Sequence, residues 1–194
     1  MMIHYVWIGG DIPVKYLPNI KICSQLNPGY QIIYWKDNDV NNIISEFGLI
    51  DLFNSLSFMG KCNLVKYIIL AKYGGIITDL DIKWKKSFYQ IQIDNNFPQV
   101  DLILTYPFTK ELFDEAFIIA KPGLFKDCIE YSKQRINLKI DILTGEQHKL
   151  EPIGPFLLTE WVNNKNINFT YFSQALYLDG NGHYGNHEQL GLWS

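Results

Sequence analysis

The sequence is poor in cysteine. Cys23, Cys62 and Cys128 are the three present in 194 residues, at wide spacings and with no Cys-x-x-Cys pair or neighbouring histidine. That excludes a disulfide framework and a zinc knuckle and leaves buried free thiols. Long apolar runs are also lacking: even Leu64 to Tyr73 is broken by Lys66 and Lys72, well short of the roughly 18–20 residues that span a bilayer. No transmembrane segment is expected. The first residues, Met-Met-Ile-His-Tyr, enter an apolar run without a basic flank or a small-residue cleavage site, so the expectation is a cytoplasmic, soluble protein. Charge of either sign is scarce. Seventeen Lys and Arg against twenty Asp and Glu give a net charge of -3, and no long basic run offers a footprint for a nucleic-acid backbone. There is no internal repeat and no low-complexity segment.

What is present is enough apolar material for one core, 47% of residues, in a chain of one domain's length. Ile3–Ile8 reads as a buried strand stopped by Gly9-Gly10, and Pro18–Gln25 as a short helix ending before Asn27-Pro28-Gly29. Tyr30–Trp35 is a second strand, and Asp37–Phe47 an amphipathic helix closed by Gly48. Asn63–Tyr73 is a core helix with Gly74 as its stop, followed at once by a strand Ile76–Thr78. Strands at Val100–Tyr106, Ala116–Ala120 and Ile167–Phe172 and helices at Leu124–Arg135 and Phe156–Val162 complete the pattern. Helices alternating with buried strands predict an α/β domain with a mostly parallel sheet, whose ligands bind beyond the carboxyl ends of the strands.

Two Asp-x-Asp triplets occur, where twelve aspartates in 194 residues give about 0.7 by chance. Asp37 and Asp39 open a helix, where capping and the helix dipole favour carboxylates, so their role is structural. Asp79 and Asp81 are delivered by an apolar strand to its carboxyl end, where side chains at i and i+2 share a face and can converge on one hard divalent cation. A solvated acidic loop is the bland alternative. His4, on the first strand, reads as structural. His148 and His183 fall in polar or Gly-rich surroundings, and the Lys83, Lys85, Lys86 cluster reads as a solvated face.

Ile3-His4-Tyr5-Val6-Trp7-Ile8-Gly9-Gly10, Asn27-Pro28-Gly29-Tyr30, Tyr73-Gly74-Gly75-Ile76 with Asp79-Leu80-Asp81, Gly154-Pro155, and His187 six residues before Trp193 follow one another in a familiar order. Together they resemble the DXD-containing sugar-transferring glycosyltransferases of GT-A fold. That group includes yeast-type mannosyltransferases, capsule and lipopolysaccharide enzymes and the glucosylating domains of clostridial toxins. The resemblance covers nearly the whole chain, 1–194. It implies a single Rossmann-like catalytic domain, free-standing or one part of a longer protein, that uses Mn2+ or Mg2+. The donor would be a nucleoside diphosphate sugar, with a UDP-sugar such as UDP-glucose favoured, and the acceptor a hydroxyl on a glycan or other molecule. Retention of configuration is implied too.

By the same resemblance the first strand, with Tyr5, Val6 and Trp7, holds the nucleotide, Trp7 beside the base. Asp79, with Leu80 next to it, reaches the ribose or sugar, Asp81 and Asp79 serve the metal, His187 completes its ligands, and Trp193 packs on the diphosphate side. Two departures stand out. The family's Ser-Asp-x-x-Arg-Tyr reads here Cys62-Asn63-Leu64-Val65-Lys66-Tyr67, so Asn63 lacks a charge and Lys66 lacks the fork of arginine. Leu192 stands where the family has serine. A binding module that keeps the fold without turnover is the alternative function. A glycosidase is disfavoured, since its carboxyl groups sit roughly 5–9.5 Å apart on separate elements.

Overall fold

The computed structural model describes residues 1–97, 99–106, 112–140, 153–180 and 182–188. The β-branched and aromatic N-terminal run forms β1 (Met2–Val6), and after a 3-10 turn at Val14–Tyr16 the chain enters α1 (Leu17–Leu26). Then come β2 (Gln31–Trp35), α2 (Asp37–Glu46), α3 (Ile50–Ser55) and α4 (Phe58–Tyr73). β3 (Gly75–Thr78), β4 (Ile82–Trp84), α5 (Phe88–Asp94), β5 (Leu102–Tyr106) and β6 (Asp114–Ala120) follow. α6 (Lys126–Ile140), α7 (Pro155–Asn164), β7 (Phe169–Ser173), α8 (Gln174–Tyr177) and β8 (Gly185–His187) end the order.

Six strands make the central sheet in the order β2-β1-β3-β6-β5-β7. β1 is parallel to β2 and β3, and β5 to β7, while β6 is antiparallel to both β3 and β5. Five strands therefore point one way and β6 alone points back. The expected mostly parallel α/β sheet is present, with one reversed strand inside it.

Alternation along the strands divides the apolar side chains between two faces. Ile77, Ile118 and Ala120 join α2, α4, α6 and α7 in one core, and Ile3, Tyr5, Ile76, Phe117 and Ile119 join α1, α5 and the β4 strand in the other. α4 is apolar nearly all round because both the sheet and α6 cover it. It begins five residues earlier than the apolar pattern indicated, where the Ser57 hydroxyl accepts from the Gly60 N–H, a cap that the run Ser57-Phe58-Met59-Gly60 does not advertise.

The turn from α4 into β3 sets the position of everything after it. Gly74 and Gly75 both have positive φ, +61° and +96°, and a Cβ on Gly74 would lie 2.5 Å from the Pro122 nitrogen and one on Gly75 2.6 Å from the Met2 carbonyl oxygen. No other residue fits either position without moving backbone. Behind the turn, buried His4 contacts the Gly74 carbonyl through Nε2 at 3.0 Å and accepts from Trp35 Nε1 through Nδ1 at 3.1 Å. Burial holds its pKa down at about 4, so it is neutral, and its structural role is as expected. The Asn27-Pro28-Gly29 motif is likewise a staple: Asn27 donates to the Cys23 carbonyl and accepts from the Phe88 N–H at 2.7 Å, tying α1 to α5.

Candidate active site

A cleft of about 380 Å³ opens at the carboxyl ends of β1 and β3, and Trp7, Asn63, Lys66, Asp79, Asp81 and His187 are on its walls, with Val6 and Leu80 among them. Residues as far apart in sequence as Val6 and His187 are thus brought to one place. Tyr5 is not part of the wall. It alternates to the opposite face of β1, buried in the core and stacked on Tyr34. Trp193 lies outside the described residues, as do Leu192 and His148. His183 is exposed and meets Tyr177 edge-on.

Asp79 follows β3 directly, its N–H held by the Ala116 carbonyl at 2.8 Å. Its carboxylate is not free: Oδ1 is 2.7 Å from Lys66 Nζ. α4 and β3 run back to back around the Gly74-Gly75 turn, which brings residue 66 level with residue 79. The ammonium also donates to the Glu115 carbonyl at 3.1 Å. Burial pulls the Lys66 pKa down, but the adjoining Asp79 carboxylate outweighs it and carries the value above the usual one. Lys66 is a fixed positive charge at the cleft floor.

Asp81 is paired from the other side. β4 and β8 form a two-stranded ribbon in which Ile82 faces His187, so the tail returns alongside the acidic motif. His187 Nε2 lies 3.3 Å from Asp81 Oδ1, the two side chains being 12% and 14% exposed. The Glu188 N–H donates to the Asp81 carbonyl at 2.9 Å. The Asn19 amide bridges the Leu80 carbonyl and the Glu188 carboxylate, at 3.1 and 3.2 Å. Buried Trp84 anchors the ribbon, donating from Nε1 to Thr78 Oγ1 at 3.1 Å. Burial lowers the His187 pKa, yet the hydrogen bond and charge of Asp81 carry it above 6.5. By contrast Asp37 accepts from the Gly9 and Gly10 N–H groups, away from the cleft.

The donor chemistry suits a divalent cation only in part. Asp81 and His187 offer a carboxylate oxygen and an imidazole nitrogen side by side, a fitting pair for Mn2+ or Mg2+. Asp79 is engaged by Lys66, and among the described residues no group of three carboxylate, imidazole or thiolate side chains is close enough to hold an ion. Trp7 packs one side against the core near Tyr16 and turns toward the cleft with the other, and its buried Nε1 has no hydrogen-bond partner among the described residues.

Asp114 and Glu115 also line the cleft, a pair that sequence reasoning missed. They stand at the start of β6, and a signal existed: two acids immediately ahead of the apolar run Ala116–Ala120. The Tyr67 hydroxyl donates to Glu115 Oε1 at 2.6 Å. Burial pushes the Glu115 carboxyl up to about 8, with Asp114 adding to it. A carboxyl that binds a proton in the folded chain and releases it near 4.5 when unfolded stabilises most at low pH and loses that contribution as pH rises toward 8. The expected result is that the stability advantage of wild type over Glu115→Gln, measured by urea unfolding, shrinks from pH 5 to pH 8. An advantage that stays constant or grows over that range would exclude a protonated Glu115.

Residues 13–98 match the family model described as a glycosyltransferase sugar-binding region containing a DXD motif. Inositol phosphoceramide mannosyltransferase 3 of Schizosaccharomyces pombe is 32% identical over 84 residues, which are 42% of this chain and 24% of that protein. The chain spans about a quarter of the length of the curated relatives it matches. Among solved structures, the PaToxG glycosyltransferase superposes with a TM-score of 0.58 at 14% identity, over 82% of this chain and 67% of that one. The ligand-free glycosyltransferase domain from the YGT toxin gives 0.54 at 9% identity, over 88% and 79%. These likenesses establish the GT-A-type fold. Among the described residues no helix is long and apolar enough to cross a membrane. Asp79-Leu80-Asp81 falls inside the matched segment and on the cleft wall, so residues 13–98 are similar to a glycosyltransferase sugar-binding region containing a DXD motif where that motif borders the cleft.

Proposed function

We propose that this chain transfers a hexose from a nucleoside diphosphate sugar to a hydroxyl of a glycan or other acceptor. The observation that carries the reading is the convergence of Trp7, the Lys66–Asp79 pair and the Asp81–His187 pair on one cleft at the carboxyl ends of the strands. Trp7 offers a flat face for the base. Lys66 and Asp79 together present donors and acceptors to a polyhydroxylated sugar, and Asn63 lies beside them on the same wall of α4. Asp81 and His187 would hold a divalent cation, Mn2+ or Mg2+, which when bound stabilises negative charge on the departing diphosphate. A UDP-sugar is favoured and retention follows from the family resemblance. No side chain in the cleft is assigned as a nucleophile.

The test is release of UDP from UDP-glucose with Mn2+ and with chelator, in parallel with a nucleoside diphosphate mannose, since the fission-yeast relative is named a mannosyltransferase. Metal-dependent release of nucleoside diphosphate supports transfer. A second reading, donor binding without turnover, is favoured by one observation, the neutralisation of Asp79 by Lys66; saturable binding with no release in either condition would establish it.

Trp7→Ala is expected to weaken free UDP about tenfold by calorimetry, from the loss of roughly 1–3 kcal/mol of stacking per base. Unchanged UDP affinity in the folded variant would return Trp7 to the core alone.

A further inference from the structure

A second pocket, of about 290 Å³, lies between α7 and the β5–β7 edge of the sheet, reaching from Tyr106 at the carboxyl end of β5 back to Phe169 at the start of β7, with Phe113, Thr159, Asn163 and Tyr171 also on its wall. Its rings form a connected set: Tyr106 meets Tyr171 edge-on at 5.2 Å and Phe113 meets Phe169 at 5.6 Å and Tyr171 at 5.7 Å. Tyr171 stands on the edge strand β7 and is 50% exposed. The wall is fixed, since the Phe113 N–H donates to Thr159 Oγ1 at 2.7 Å, joining the segment before β6 to α7.

Two elements border both the pocket and the cleft. Pro155 of α7 borders the cleft while Thr159 and Asn163, one and two turns on along the same helix face, border the pocket,. Asp114 faces the cleft and its neighbour Phe113 the pocket. The strand order β3-β6-β5-β7, at about 4.8 Å per strand, puts the pocket's far wall roughly 14 Å from β3. A few linked sugar units cover that distance.

We propose that this pocket is a carbohydrate subsite that holds a hexose unit of the acceptor glycan, some units away from the hydroxyl that receives the transferred sugar. A pyranose presents C–H groups on its faces and hydroxyls around its edge. The C–H face packs on aromatic rings, whose faces are electronegative. The hydroxyls find Asn163, Thr159 and the phenol groups of Tyr106 and Tyr171. An alkyl chain in the same place would bury those polar groups without partners, which is unfavourable. The assignment rests on the glycosyl-transfer reading of the cleft.

The test is binding of the whole chain to a printed array of gluco-, galacto- and manno-configured oligosaccharides, with UDP affinity measured separately by calorimetry. Wild type is expected to retain a subset of the oligosaccharides. Tyr171→Ala should lower that signal about tenfold and Tyr171→Phe should keep it, because the ring supplies the platform. Asn163→Leu, on the exposed face of α7, should lower it as well and serves if Tyr171→Ala does not fold. No retention by wild type, or equal retention by wild type, Tyr171→Ala and Asn163→Leu, overturns the subsite even where UDP binds normally. Retention that depends on Tyr171 in a chain that binds no UDP upholds the subsite and refutes the donor reading instead.

Discussion

Asp81→Asn is expected to lower metal-dependent release of UDP from UDP-glucose by about a thousandfold while leaving the fold intact. The substitution keeps size and shape and removes one negative charge. That charge faces His187 Nε2 at 3.3 Å, on a side chain already 14% exposed, so little water stands by to replace it. The backbone around Asp81 is held independently of its carboxylate, by the Glu188 N–H on its carbonyl and by the pairing of Ile82 with His187. An amide in its place therefore alters cation affinity without releasing the ribbon. Turnover at saturating donor that is unchanged in Asp81→Asn, or wild-type turnover in excess chelator, would refute the cation's role.

Much of this arrangement was legible because the motif lies on short local structure. Gly74-Gly75 announces a stop and a turn, Ile76–Thr78 a strand, and Asp79-Leu80-Asp81 its carboxyl end, all within eight residues. The helix-start role of Asp39, which accepts from the Lys36 N–H at 3.3 Å, was readable for the same reason, whereas the tie of Asp37 to the Gly9 and Gly10 N–H groups joins distant segments and was not. His187 was placed only through the resemblance. What delivers it is β4, a three-residue strand too short to show a period, pairing with an equally short strand, β8, in a Gly-rich tail. Gly182 and Gly185 serve close approach there: a Cβ on Gly182 would lie 2.5 Å from the Tyr177 carbonyl carbon, and one on Gly185 3.0 Å from the Lys83 oxygen.

Asp114 and Glu115 were missed for a topological reason. In a parallel sheet the start of a strand lies far from the ligand, so a parallel reading does not point two acids ahead of Ala116–Ala120 toward the site. The reversal of β6 brings that start to the cleft, and strand direction is not encoded in the apolar pattern. The Lys66–Asp79 pair was equally invisible, because it depends on how far helix and strand run back along each other from the turn. Eight residues of helix cover about 12 Å and five of extended chain about 16 Å, and the long Lys66 side chain spans the remaining offset of about 4 Å.

That pair also governs the remaining large effect. Lys66→Ala is expected to weaken UDP-glucose about tenfold or more while leaving the affinity for free UDP within about twofold, because the proposed reading assigns Lys66 and Asp79 to the sugar and Trp7 to the base. The same substitution should destabilise the fold by about 2–3 kcal/mol. Removing one partner of a buried ion pair is generally worth 3–5 kcal/mol, because the other charge is left without compensation, and the 30% exposure of the Asp79 side chain lets water recover part of it. The Glu115 carbonyl loses its donor at the same time. Lys66→Arg separates the two roles. It restores a positive charge beside Asp79 and a donor toward the sugar, in the residue that the related motif carries, so most of the lost stability should return. Urea unfolding reads the first effect, and parallel titrations with UDP and UDP-glucose the second. If Lys66→Ala weakens UDP as strongly as UDP-glucose, the ammonium serves the diphosphate and the sugar end of the cleft has been placed wrongly.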